Sequence, residues 1–380
     1  MKMTFRAIYQ LSIFLIIGSW AFAAQTEGAA ITGVWRGTLG GQQTIACFDY
    51  DSRYYNLRDL QDRYLNHQEK GVNSWAESIT PSRSDSNITW KINTFTPHRL
   101  VGVRINATNK KKVAFQLSKV KVPKDAGDAC PASVYYAPKV AIQAIGSSPQ
   151  RQFMSKPYRL LYALNKSVST IELLDPVSGT SPLNQFFRNS LQQDIAESFD
   201  CKFRTAPLEG GYSTQSALRY WGSQWISWSV SLEGYCGGAH PLFATSLKTH
   251  DIETGESEDL WKWFKTKLDT QADEYLVCDS SFNPRNCLSA KASKIITNSK
   301  LRYDKKDCGE FAHDYIDIHS EGYEISLDKD GFRFLPKQPE AGRSLRPCFY
   351  SHVLPFSTLR PFLSKTGRDS VNKILQSTNE

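Results

Sequence analysis

The chain has 380 residues, enough for two packed cores rather than one. Its 40% hydrophobic and 12% aromatic content excludes a disordered chain. The net charge of +8 is unevenly placed: residues 24–200 carry 21 basic and 15 acidic side chains, and residues 201–380 carry 23 of each. A basic first half suits either an anionic envelope polymer or an ordinary solvated face. Nucleic acid is not an expected partner, because the basic residues do not alternate with aromatics in repeats.

The N-terminus reads as a secretory signal over residues 1–23. Lys2 and Arg6 supply the positive end, and an apolar stretch follows from Ile8 to Ile17. Ala21-Phe22-Ala23 is a small-x-small cleavage motif, which places the mature start at Ala24. The apolar run is too short to span a bilayer. With no comparable run downstream, the expectation is a soluble periplasmic or secreted protein without a transmembrane anchor.

Residues 24–150 read as an antiparallel β-rich domain, a meander or small barrel. Ile31–Gly40 and Gln43–Phe48 form a hairpin around Gly40-Gly41. Tyr54–Tyr64 reads as a strand leading into a short helix. Trp75–Ile79, Ile88–Ile92, Arg99–Ile105 and Val113–Val122 read as further strands, separated by Pro, Ser, Asp and Asn. The Gly- and Ser-containing segment at 146–156 marks the boundary.

Residues 151–380 read as an α+β domain with an antiparallel sheet and flanking helices. Leu183, Phe186, Phe187, Leu191 and Ile195 recur at helical spacing and predict a helix over Pro182–Phe199. Tyr220–Leu232 reads as one long aromatic strand, with Phe243–His250 returning. Leu260–Leu268 and Asn286–Thr297 read as helices. Tyr315–Ile318, Tyr323–Leu327, Gly331–Leu335 and His352–Phe356 read as short strands, and a last short helix begins at Ser357 as its cap.

Eight cysteines in an exported chain read as disulfides: Cys47, Cys130, Cys201, Cys236, Cys278, Cys287, Cys308 and Cys348. Connectivity is open among many pairings. Cys47 with Cys130, Cys201 with Cys236, Cys278 with Cys287, and Cys308 with Cys348 form one set consistent with their places in the chain. No Cys-x-x-Cys zinc motif is present.

Three segments of the second half carry a family resemblance. Tyr235-Cys236-Gly237-Gly238-Ala239-His240-Pro241 comes first. Thr249-His250-Asp251-Ile252-Glu253-Thr254-Gly255 follows, ahead of Leu260-Trp261-Lys262-Trp263-Phe264. Val353-Leu354-Pro355-Phe356-Ser357-Thr358-Leu359-Arg360-Pro361-Phe362-Leu363 closes the set. In order and spacing these resemble the extracellular domain of RsiV-type anti-sigma factors, over about residues 155–365. The resemblance implies an α+β domain that recognises a ligand in the envelope, since RsiV-type domains sense lysozyme. No cytoplasmic sigma-binding region is expected from these 380 residues, and the cysteines are additions to the pattern.

The expected ligand-binding residues are Tyr235, Gly237, Gly238, Ala239 and His240, with a tight structural turn as the competing reading. His313, Tyr315, Asp317 and His319 alternate, but along a strand His313 and His319 stand about 20 Å apart, so no metal site is expected. There is no Gly-x-Ser-x-Gly, His-Glu-x-x-His or phosphate-loop motif, so no catalytic residue and no cofactor is assigned. Trp221, Trp225, Trp228, Trp261 and Trp263 read as core or as a carbohydrate platform. Asp251, Glu253, Glu256, Glu258 and Asp259 offer an acidic patch suited to a basic lysozyme. The leading expectation is an exported envelope protein that binds a lysozyme-like protein or a peptidoglycan-related ligand. The alternatives are an envelope hydrolase acting on glycan or peptide bonds, and a structural partner of an outer-membrane assembly.

Overall fold

The chain divides into two compact units, one ending at Ile142 and the other starting at Gln143. The computed structural model describes residues 31–68, 73–79, 87–174, 182–206, 210–239, 241–269, 276–279, 285–298, 322–337 and 351–377. The expected signal at 1–23, His240, the strand at 315–318, Cys308 and Cys348 lie outside the described residues.

In the first unit eight antiparallel strands close into a barrel. They are β1 (Gly33–Leu39), β2 (Gln42–Phe48), β3 (Arg53–Asn56), β4 (Arg63–His67), β5 (Ser74–Ser78), β6 (Ile88–Thr96), β7 (Arg99–Asn106) and β8 (Lys112–Lys119). β8 returns to pair with β1, which leaves no open edge. The period of two sends alternate side chains inward. Trp35, Phe48, Tyr54, Leu65, Trp75, Trp90, Leu100, Phe115 and Leu117 accordingly form one buried cluster. The outer wall is also covered in part. Helices α1 (Ala132–Tyr135) and α2 (Ala137–Ala141) lie against β2 and β3 through Tyr55, whose hydroxyl donates to the Tyr135 carbonyl at 2.9 Å. The Lys139 ammonium meets Asp62 at 2.9 Å, and the Cys47–Cys130 disulfide ties the same segment to β2.

Two expectations for this unit change. The helix expected within Tyr54–Tyr64 is a single turn between β3 and β4. Leu60 there sits at φ +56° with its N–H on the Asn56 carbonyl, which ends the helical path after one turn. The two short helices after Cys130 were not anticipated, because four to five residues are too few to show a helical period.

In the second unit a seven-stranded sheet runs β10 (Arg151–Phe153), β11 (Lys156–Ala163), β12 (Val168–Leu173), β13 (Gly211–Trp221), β14 (Trp225–Tyr235), β15 (Leu242–Asp251), with β9 (Gly146–Ser147) added beside β11. All pairs are antiparallel except β12 with β13. The connection between those two is the crossover helix α3 (Pro182–Thr205), as a parallel pair requires. Leu183, Phe187, Leu191 and Ile195 are fully buried along one face of α3. Leu183 and Phe187 share a buried cluster with Ile171, Leu173, Leu218, Ile226 and Trp228 of the sheet.

A second core in this unit joins Trp225, Trp263, Phe264, Phe332, Phe334 and Phe356. It is built by β16 (Thr266–Asp269) with β17 (Arg285–Leu288), helix α4 (Ala290–Asn298), and a three-stranded sheet of β18 (Tyr323–Asp328), β19 (Gly331–Pro336) and β20 (His352–Pro355). Helices α5 (Phe356–Leu359) and α6 (Lys365–Ser377) follow. The fold is mostly antiparallel β with helices, a barrel in the first unit and an α+β arrangement in the second.

Here too some elements differ from their expected form. The single strand over Tyr220–Leu232 is two strands. Gly222-Ser223-Gln224 turns the chain between β13 and β14, and Gly222 N–H bonds the Trp225 carbonyl at 2.9 Å. Leu260–Leu268 is not a helix: a 3-10 turn ends at Trp263 and β16 follows. Asn286–Leu288 belongs to β17, so the helix starts at Ala290. Ser357 does not cap its helix; Pro355 holds that position, without a side-chain cap bond.

Candidate functional site

The Gly-Gly-Ala-His segment is the connection at the tip of the β14–β15 hairpin. Gly234 pairs with Leu242 across the last rung. Beyond it Gly237 and Gly238 both take left-handed conformations, φ +91° and +87°, which L side chains rarely adopt. Two bonds fix the loop. Cys236 is joined to Cys201 in α3, and the Tyr235 hydroxyl donates to the Gly238 carbonyl at 2.9 Å. Tyr235 is therefore spent partly on holding the loop. Gly238 and Ala239 are exposed, and space beside Gly238 is open. Gly237 is half-buried, and a Cβ added there would stand 3.6 Å from the Arg204 carbonyl.

The strands leading to this tip carry a second feature that sequence reasoning missed. Cross-strand partners share a face of a sheet. Ser213 is opposite Glu233, which is opposite Phe243; Gln215 is opposite Ser231, which is opposite Thr245. These six residues form two rungs of one surface, on the face away from α3. Gln215, Glu233, Phe243 and Thr245 are exposed, and Ser213 and Ser231 are half-buried. Phe243 keeps 44% of its surface in solvent and the adjoining Leu242 keeps 38%. Large apolar side chains so exposed beside polar neighbours are suited to contact with a partner. The signal was available in the polar run Ser213-Thr214-Gln215 and the alternation Ser231-Leu232-Glu233, but it has meaning only once the register is known.

Other candidates resolve into structural roles. Trp221, Trp225, Trp228, Trp261 and Trp263 are all buried. Trp225 meets Trp263 edge-on at 4.9 Å, and Trp228 meets Phe187 at 4.8 Å, so these indoles are core. The acidic run is largely spent on local structure. Asp251 accepts the Glu253 and Thr254 N–H groups, Asp259 accepts Trp261 N–H, and Glu258 accepts the Trp263 indole N–H at 2.9 Å. This turn also stands at the far end of β15 from the glycine loop, about 30 Å along the strand.

The titratable groups near the sheet also serve packing. His250 is buried between Phe186 and Trp228, and its Nδ1 lies 2.9 Å from the Gly255 carbonyl. Burial lowers its pKa. Asp194 of α3 accepts the Thr214 hydroxyl at 3.0 Å, and burial raises its pKa. Cys47, Asp49 and Cys130 gather three atoms of metal-binding type within 4.8 Å, but the two sulfurs are bonded to each other and offer no thiolate. His313, Asp317 and His319 lie outside the described residues.

No protein-family model matches the chain, and no curated protein matches it. Among solved structures it is similar to a crystal structure of a member of the DUF3298 family from Bacteroides fragilis NCTC 9343. The match has 14% identity and a TM-score of 0.30, and covers 61% of this chain and 97% of that one. The neighbour is distant.

Proposed function

We propose that this is an exported binding protein of the bacterial envelope, which recognises a lysozyme-like protein or a peptidoglycan-related ligand through the tip of the β14–β15 hairpin. The second unit is read as an RsiV-type domain on the residues of the Tyr235–Pro241, Thr249–Gly255 and Val353–Leu363 segments. Export is supported by the signal-like residues 1–23 and by three disulfides, which persist in oxidising compartments. Among the described residues no helix is long and apolar enough to cross a membrane.

The observation that carries the reading is the constrained, exposed hairpin tip. A left-handed Gly-Gly pair, tied by a disulfide on one side and a tyrosine hydroxyl on the other, keeps a small surface pre-organised. Pre-organisation lowers the entropy cost of association. The adjoining rungs supply hydroxyl and amide groups beside the ring of Phe243, a combination that serves sugar hydroxyls and protein backbone alike.

The test uses the mature full chain against two probes, lysozyme and purified insoluble peptidoglycan. Saturable binding of one probe is expected, weakened about tenfold or more by Phe243→Ser and by His240→Ala, with an unchanged circular dichroism spectrum. Retention of neither probe by the parent chain sinks the ligand assignment. Binding that both variants leave intact removes the hairpin tip from the site.

A further inference from the structure

The polar face beside the hairpin tip continues past its two rungs to an arginine that the reading above does not use. After the Gln215–Ser231–Thr245 rung comes Ala217, opposite Ser229, which is opposite Leu247. Gln215 and Ala217 are both exposed, so the face is open to solvent over the small Ala217 side chain. Beyond Ala217 the register of β13 with β14 shifts between Leu218 and Tyr220, which leaves Arg219 as the extra residue of a β-bulge. A bulge re-aims the side chain it carries. Here the Arg219 guanidinium turns onto β14, where Nε donates to the Ser229 hydroxyl at 3.0 Å. Its two Nη groups make no bond among the described residues, and they are not sealed from solvent.

This half-buried cation lacks a counter-charge. Among the described residues no carboxylate pairs with Arg219, and its one side-chain bond is to a neutral hydroxyl. The charge of Asp328 on β18 reaches it, but that carboxylate is committed to Arg333 of β19, whose Nε and Nη2 donate to it at 2.8 and 2.6 Å. Glu324 of β18 is held at the other end of the rung by the Leu247 N–H at 2.7 Å. Glu233 is four residues along β14 from Ser229, about 13 Å away. Burial lowers the Arg219 pKa, the Arg333 charge lowers it further, and Asp328 opposes both. An anion arriving from solvent would relieve both costs.

We infer that Arg219 is an anion subsite of the hairpin face, taking the carboxylate of an acidic saccharide whose ring lies over Ala217 and the Gln215–Ser231–Thr245 rung. Successive rungs on one face stand about 7 Å apart, the reach of one sugar ring with its substituents. Gln215, Ser231 and Thr245 offer neutral donors and acceptors to the sugar hydroxyls. An unpaired arginine repels a basic lysozyme-like protein, so of the two ligands proposed for the tip it favours the peptidoglycan-related one. The subsite rests on the reading that these rungs face the ligand, and it narrows that ligand to an anionic glycan.

Heteronuclear NMR titration of the mature full chain with N-acetylmuramic acid, and with its methyl ester as the uncharged control, tests the subsite. Saturable binding of the acid is expected, with the ester weaker by about tenfold or more, the size of a lost charge-assisted bond. Arg219→Gln is expected to bring the acid down to the affinity of the ester, a loss of selectivity that a purely structural role would not give. Ala217→Leu is expected to weaken acid and ester alike severalfold by filling the room over the strand. Ala217 is exposed, so this variant reports even where Arg219→Gln folds poorly. Absence of saturable binding of the acid overturns the inference. So does equal affinity for the ester, or a preference for the acid that survives Arg219→Gln. Lysozyme binding that Arg219→Gln abolishes, with no saccharide bound, assigns the arginine to a protein contact and overturns it too. Insoluble peptidoglycan released by Phe243→Ser but retained by Arg219→Gln, with no preference for the acid, overturns the subsite and leaves the tip standing. A preference for the acid that Arg219→Gln abolishes, in a parent chain that retains no insoluble peptidoglycan, supports the subsite and counts against the tip alone.

Discussion

Gly238 and Tyr235 determine the shape of the hairpin tip in different ways. Gly238 has open space where a Cβ would stand, so any penalty for a side chain there comes from the backbone alone. Gly238→Ala is expected to cost about 1–2 kcal/mol, read as a lower urea midpoint with an unchanged slope. Tyr235→Phe, which deletes the bond to the Gly238 carbonyl, is expected to cost less, about 1 kcal/mol or below, because that bond is exposed. At this scale the sequence shows the Gly-Gly pair as a place of unusual backbone. It does not show that Phe243 stands beside Glu233 and Ser213, because that depends on register across three strands. The ion pair in the barrel between Glu77 of β5 and Arg104 of β7, at 2.7 Å, was invisible for the same reason: its members come from different strands and meet only when the barrel forms.

The elements around the tip depend on one covalent tie. Cys201 near the end of α3 and Cys236 beside the glycine pair are 35 residues apart in sequence. A cross-link of that span contributes about 3–4 kcal/mol in the loop-closure account. The Cys201→Ser/Cys236→Ser double variant is expected to lower the thermal midpoint and to speed amide hydrogen exchange in both α3 and the loop. Faster exchange in the loop alone would mean that the bond does not brace the helix. Elements with a clear period were legible: α3 from Leu183, Phe187, Leu191 and Ile195, and the β1–β2 hairpin from Gly40-Gly41. Tyr220–Leu232 misled because aromatic residues continue on both sides of Gly222-Ser223, and their strand preference hid the turn. Leu260–Phe264 misled because its apolar residues look helical, while Trp261, Trp263 and Phe264 are all drawn into the core. That pull overrides helix continuation after one turn.

For the whole molecule, stability should depend on a buried imidazole. His352 of β20 stacks on Phe334 at 5.9 Å. Burial holds its pKa down at about 4, with the Ile296 carbonyl opposing the shift and the Arg333 charge adding to it. The unfolded value is about 6.5, so the unfolded chain binds the proton more readily between the two. The contribution is complete above about pH 6.5 and is lost as pH falls toward 4, amounting to about 3 kcal/mol. His352→Phe is expected to flatten the fall of the urea midpoint over this window relative to the parent chain. An identical slope in both proteins would mean that His352 does not titrate on unfolding. The barrel belongs to one compact unit and the hairpin tip to the other.

The central claim is that the hairpin tip is where the ligand is recognised. The most direct measurement is amide hydrogen exchange of the mature chain, alone and with saturating lysozyme or soluble peptidoglycan fragments. Protection concentrated at residues 211–215 and 231–245 is predicted. Bound ligand with unchanged exchange there, and protection elsewhere in the chain, would contradict it.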